Sequence, residues 1–231
     1  MTDDSIHSQR TRTLITEDLL LVLFQPDSGT IAGENTLFYV LAAGALTDLA
    51  QRGYATIEEA GIRGTLIHAA GEPPEDELLR SMWDYISQKP RSVQTVLAAV
   101  GPTLRQPVLD RLIERGHLYT EKRRVLGLFP STALVDGGTP RRSELVAAMR
   151  AVLVDEAEPD EHIAALTALV SASGSLPVLY REIPWNGATA TRAKSLEQGD
   201  WAAGAAAAAV TRTMVAVVAN SLIVSAVAAN R

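Results

Sequence analysis

Residues 109–129 read LDRLIERGHLYTEKRRVLGLF. Leu109 and Leu112 close an apolar helical stripe, and Gly116 stands just past it, where helices commonly stop on a left-handed glycine. Leu118 then opens a short apolar strand. The charged run Glu121-Lys122-Arg123-Arg124 follows, and Val125, Leu126, Leu128 and Phe129 make an apolar return strand. The stretch predicts a helix over 106–115 feeding a β-hairpin at about 117–129, with Lys122, Arg123 and Arg124 at or near its turn. A basic tip of this kind serves as a solvated turn, a phosphate contact to lipid headgroup or nucleic acid, or a subunit contact.

The same pattern occurs upstream. Residues 45–59, ALTDLAQRGYATIEE, echo residues 108–122, VLDRLIERGHLYTEK: each has a Leu-x-x-Leu helix ending, Arg-Gly, a short strand and a Glu. Two such units are too few for a solenoid. Around them the periodicity predicts helices over 14–24, with Thr16 as N-cap and Glu17 and Asp18 at the positive end, and over 36–52, ended by Gly53. A small β element follows at 54–69. Further helices are predicted at 75–88, at 91–100 (closed by Gly101-Pro102), at 141–154, at 160–173, at 188–198 and from about 200 onward. STALVDGGTP (131–140) and GSLPVLYREIPWNGATA (174–190) read as loops. The sum is a mainly α protein with one clear hairpin.

Composition narrows the function. The 231 residues are 47% hydrophobic and 21% charged, enough apolar content for a substantial core. A formal net charge of −6 disfavours nonspecific polyanion binding, though a local basic patch still permits it. The chain has no cysteine, which excludes disulfides, thiolate metal sites and cysteine nucleophiles. Residues 1–12, MTDDSIHSQRTR, are polar with no apolar core, so they read as a flexible N-terminal segment and not as a signal peptide. Arginine and alanine dominate over lysine, a bacterial high-GC composition. The uncharged run 213–230 contains Asn220, Ser221 and Ser225 and lacks leucine density and aromatic anchors, so a buried core helix is expected there over a membrane span.

Catalytic constellations are absent from the sequence. The four histidines, His7, His68, His117 and His162, share no metal-ligand spacing, and no nucleophile elbow, Walker loop or dinucleotide fingerprint is present. No catalytic residue, metal or cofactor is predicted. Helix–Arg-Gly–hairpin is also how winged-helix domains end, but the would-be recognition helix sets Asp110 and Glu114 beside Arg111 and Arg115, a poor surface for phosphates. Nucleic acid is therefore not the expected partner.

The segments TLITEDLLLVLFQPDSG (13–29), AGALTDLAQRGYATIE (43–58) and LIERGHLYTEK (112–122), in that order and with the apolar return strand, resemble the Golgi phosphoprotein 3 family of peripheral proteins that bind phosphatidylinositol 4-phosphate. The resemblance is closest over residues 13–155. It implies one α-helical domain over 13–231: a central helical bundle, surrounding helices and loops, and a protruding β-hairpin that mediates self-association in the family. It also implies a non-enzymatic, cytoplasmic protein, peripheral on a membrane, with a headgroup pocket of one tryptophan and several arginines. That chemistry is sound, since arginine forks grip phosphate and tryptophan suits the membrane interface. Aligning on Arg52-Gly53, the family's tryptophan falls near Gly33 and its first arginine near Ala42. Aligning on Arg115-Gly116, two further arginines fall at Pro102 and Arg105. Only Arg105 is retained, so the pocket is largely degenerate. The lipid-binding residues expected are Arg105, Lys122, Arg123 and Arg124, toward an anionic headgroup. The oligomer contacts expected are Leu118, Val125, Leu126 and Leu128.

Overall fold

The computed structural model describes residues 13–60, 64–125, 129–199 and 211–220. The expected flexible segment 1–12 lies outside them. The molecule is built on α1 (Ile15–Leu23), whose nine residues are all buried. A helix buried on every side belongs at the centre of a bundle. Packed on it are α2 (Leu37–Gln51), α4 (Val93–Glu114), α5 (Arg141–Val154) and α6 (Glu161–Ala172). α3 (Glu77–Ser87) covers α2 and α4, and α7 (Gly187–Glu197) covers α5 and α6. A helical stretch at 211–220 adds Met214, Val215 and Val218 to the one continuous core. The mainly α, single-domain architecture is as expected. Among the described residues no helix is long and apolar enough to cross a membrane.

α1 starts differently from the expectation. Thr16 is inside the helix, and Leu14 occupies the cap position without a side-chain bond. The orphan N–H groups are taken from across the bundle: Asp48, in the last turn of α2, accepts from the Ile15 N–H at 3.0 Å and from the Thr16 N–H at 3.2 Å. The Thr16 hydroxyl donates to the same carboxylate at 3.2 Å. The C-terminus of α2 therefore meets the N-terminus of α1. Arg111 and Arg115 bring the C-terminus of α4 to the same place, so α2 and α4 run alongside each other and α1 runs opposite to both.

The two echoing segments adopt one structure. α2 and α4 each end in a Schellman motif. The N–H of Gly53 donates to the Ala50 carbonyl and that of Tyr54 to the Leu49 carbonyl; those of Gly116 and His117 donate to the carbonyls of Ile113 and Leu112. The glycines sit at φ +78° and +71°. Each cap feeds an antiparallel hairpin, β3 (Ala55–Glu59) with β4 (Thr65–Ala69), and β6 (Leu118–Val125) with β7 (Phe129–Asp136). Each hairpin closes by one further bond to the residue after the glycine, Ala70 N–H to Tyr54 and Gly137 N–H to His117. A short β5 (Arg91–Ser92) extends the first sheet along β4, and β1 (Phe24–Gln25) pairs with β2 (Thr30–Ile31) after α1.

Two boundaries depart from the sequence pattern. The helices expected at 91–100 and 106–115 are one 22-residue helix that runs through Pro102 and Pro107. Both prolines lie on its exposed side, where water can take the freed carbonyls, and the buried stripe from Val93 to Leu112 holds the helix together. The second hairpin is also longer than 117–129. STALVD is strand, not loop, and it pairs with residues 118–123. Its polar residues lie on a two-stranded ribbon that needs little apolar cover, and the Asp136 carboxylate, which accepts from the Gly138 N–H at 2.8 Å, ends it.

Candidate functional site

The base of the long hairpin rests on a buried charge cluster. Glu17 and Asp18, adjacent in the first turn of α1, are both 0% exposed. Glu17 binds Arg111 at 3.2 Å and Arg115 at 2.5 Å. Arg111 also grips Asp76, the N-cap of α3, through two bonds of 2.7 and 2.9 Å. Asp18 binds Arg141 at the start of α5 and His162 at the start of α6, the latter at 2.6 Å. Five helix ends thus converge on two carboxylates. Burial penalises charge on Asp76, but the Arg111 guanidinium and the Leu78 and Leu79 N–H groups win and hold its carboxyl below the ordinary range. Arg111 and Arg141 are partly desolvated, yet their carboxylate partners push both guanidinium groups up. Asp48 differs: burial outweighs the Ile15 and Thr16 N–H groups and raises its carboxyl to about 6. His117 meets the Thr139 hydroxyl at 2.7 Å where the hairpin emerges, and burial followed by the Arg115 charge holds it below the usual histidine range.

The predicted hairpin residues are distributed along this ribbon. Lys122 pairs with Thr132, Arg123 with Ser131, Arg124 with Pro130, and Val125 closes on Phe129. The basic run is therefore in the outer half of β6, and residues 126–128, with Leu126 and Leu128, lie outside the described residues. Lys122 is exposed, and no carboxylate partners it among the described residues. Leu118 is 1% exposed. It belongs to the core at the hairpin's root, so a subunit contact does not fall to its side chain; Tyr119, the next residue, is 47% exposed instead.

Arg105 is elsewhere. It lies on α4 ten residues before Arg115, about 15 Å along the helix. There it pairs with Glu34 at 2.6 Å, so its charge is already matched. The pair brings the turn that holds Gly33 and Glu34 against Arg105. Gly33 has φ +68°, and a Cβ there would meet the Ser175 hydroxyl oxygen at 3.1 Å, which disfavours any larger residue on this backbone. Ala42 is fully buried in α2, and Pro102 offers no donor. Glu34, facing Arg105, is an addition that the one-residue alignment did not bring out, although its negative charge was visible in sequence.

Arg111 and Arg115 also bear on the winged-helix alternative. Both are committed to Glu17, while Asp110 and Glu114 face solvent on the same helix. The face presented is acidic. Among the described residues no group of three His, Asp or Glu side chains is placed to hold a metal ion.

The Golgi phosphoprotein 3 (GPP34) profile matches residues 15–213, from the first residue of α1 to beyond α7. The chain belongs to the Golgi phosphoprotein 3 family. The match reaches past residue 155, where the resemblance in sequence loosens, and it takes in the whole charge cluster. No curated protein matches the chain. A helical bundle carries a ribbon at one end, and Arg105, the arginine that the resemblance places at a headgroup position, is paired with Glu34.

Proposed function

We propose that this member of the Golgi phosphoprotein 3 family is a non-enzymatic peripheral protein that uses its hairpin end to meet an anionic lipid surface. The supporting observation is the division of charge at that end. Arg111, Arg115 and Arg141 are bound to Glu17 and Asp18, whereas Lys122 stands free in a basic run on a ribbon that leaves the core. Each basic residue close to an anionic membrane contributes about 1 kcal/mol, so Lys122, Arg123 and Arg124 supply about 3 kcal/mol, a transient and salt-sensitive attachment. With the headgroup positions degenerate, selectivity for phosphatidylinositol 4-phosphate over other anionic lipids is expected to be weak. Vesicle co-sedimentation tests this: the protein should pellet with vesicles containing phosphatidylglycerol or phosphatidylinositol 4-phosphate at low salt, and the triple change Lys122→Glu, Arg123→Glu, Arg124→Glu should abolish it. Failure to pellet with any anionic vesicle at low salt would refute the assignment.

A second function draws on the ribbon itself. β6 and β7 form a two-stranded sheet eight residue pairs long, so neither strand has a second strand beside it. Such edges add strands readily, which supports homo-oligomerisation through the hairpin. Mass in solution with and without residues 121–125 tests it; a monomer in both cases removes this function.

A further inference from the structure

Four large hydrophobic side chains are exposed among the described residues, Tyr119, Val178, Tyr180 and Trp185, and three of them fall between 178 and 185. The segment that carries them joins α6 to α7 and includes a 3₁₀ turn at Leu176–Leu179. Leu176, Leu179 and Ile183 anchor it in the core, each 1% exposed, and Pro177 and Pro184 restrict its backbone. The anchors force the residues between them outward, so Val178, Tyr180 and Trp185 are 41%, 60% and 41% exposed by construction and not by fraying. The patch adjoins the hairpin. The β1–β2 turn, residues 26–28, walls a cleft of about 630 Å³ with Val178, Tyr180 and Arg181, and Gly29 of that turn rests on the Leu134 carbonyl of β7.

We infer that this aromatic patch is a second membrane contact, one that enters the interfacial layer of a phospholipid bilayer beside the hairpin. It deepens the proposed function and rests on it. Two arguments select a bilayer as the occupant. The first is area. Aromatic side chains present roughly 150–250 Å² each, so the exposed fractions of Tyr180 and Trp185 amount to about 200 Å² of outward surface, to which Val178 adds a smaller share. That is well below the roughly 800 Å² that each partner gives to a stable protein dimer. A bilayer needs no complementary surface, and indole and phenol groups sit at its boundary by preference. The second is charge. Arg181 pairs with Asp27 and Arg142 with Glu182, so the surroundings of the patch are balanced. Balanced surroundings repel neither zwitterionic nor anionic lipid. The attachment made here is apolar and therefore insensitive to salt, in contrast to that of the basic run.

The difference in salt response provides the test. Tyr180→Ser with Trp185→Ser is compared with the hairpin triple change on phosphatidylcholine–phosphatidylglycerol vesicles. At low salt both variants should weaken partitioning. At high salt the hairpin change should matter little, while the aromatic change should lower the residual partitioning by about tenfold. Trp185 is also observed directly: in protein carrying Trp83→Phe and Trp201→Phe, vesicles of brominated lipid should quench its fluorescence, more strongly for bromines near the headgroup. Unquenched Trp185 in a protein that pellets, or an aromatic variant that binds like wild type at both salts, overturns this inference and leaves the hairpin function standing. A fluorescence change on concentrating the protein without lipid assigns the patch to a second copy and overturns it as well. No pelleting at any salt refutes both.

Discussion

Asp48 gives this protein a stability that should fall as pH rises through the weakly acidic range. Its carboxyl titrates at 3.8 in the unfolded chain and at about 6 in the native one, because burial disfavours the charge more than the Ile15 and Thr16 N–H groups and the nearby Arg52 and His162 favour it. Between those values the native state holds a proton that the unfolded state has released. Stability from this group is then complete below pH 3.8 and is lost as pH rises to 6. A separation of about two pH units corresponds to about 3 kcal/mol. Asp48→Asn keeps the shape and one acceptor and removes the titration. The variant should be less stable than wild type at pH 4, by about 1 kcal/mol for a helix-start bond made less well. It should gain on wild type by about 3 kcal/mol between pH 4 and pH 7, ending the more stable of the two. Urea unfolding followed by far-ultraviolet circular dichroism at intervals from pH 4 to pH 7 measures the difference. Other titrating groups contribute equally to both proteins and cancel. A difference that stays flat with pH, or that favours wild type increasingly as pH rises, would show that the α1 N-terminus holds the carboxylate charged and would refute the reasoning.

Three further perturbations test the scaffold by thermal or urea unfolding. Arg111→Met leaves Asp76 and the fully buried Glu17 short of a partner and should cost about 3–5 kcal/mol, against under 1 kcal/mol for Arg105→Met, whose pair with Glu34 is half exposed. Gly53→Ala and Gly116→Ala have open space for a methyl group and should each cost about 1–2 kcal/mol for the left-handed backbone alone, whereas Gly137→Ala drives a Cβ into the Gly116 carbonyl and should unseat the hairpin root. Pro107→Ala should raise stability by about 1–2 kcal/mol: the helix is already continuous there, and the change restores a backbone bond while loosening the unfolded chain.

Features governed by local rules were readable from sequence. The ends of α2 and α4 followed from Arg-Gly, and α5 was read from Arg141 to Val154, both as observed. The N-cap of α1 was not readable, because the group that supplies it is 33 residues away and no local pattern names it. Gly101-Pro102 reads as a break because local propensity counts a lost bond and not the burial of the helix's other face. STALVD read as loop because its ladder partners, 118–123, compensate for a polar composition only once paired. The same limit governed the site. The basic run was visible as charge, but Glu34 facing Arg105 and the outward Tyr180 and Trp185 depend on which side chains the fold brings together or turns away.

The matching units at α2–β3 and α4–β6 grip one turn of α1 from two sides. Superposing their Arg-Gly ends puts Asp48 of the first unit at the position of Arg111 in the second, and these two residues face opposite features of one helix turn. Asp48 accepts from the N–H groups of α1, and Arg111 answers the Glu17 carboxylate that α1 presents. One turn of α1 is thus held between two similar helix ends of opposite charge, with Arg115 and Arg141 completing the neutralisation. Removing Arg111 or Arg141 strands a buried carboxylate of α1. Arg105 carries no such coupling. Arg105 and Glu34 meet at the surface, where either is replaced at a cost of under about 1 kcal/mol. The same energetics that fix the root of the hairpin leave Arg105 and Glu34 replaceable one at a time.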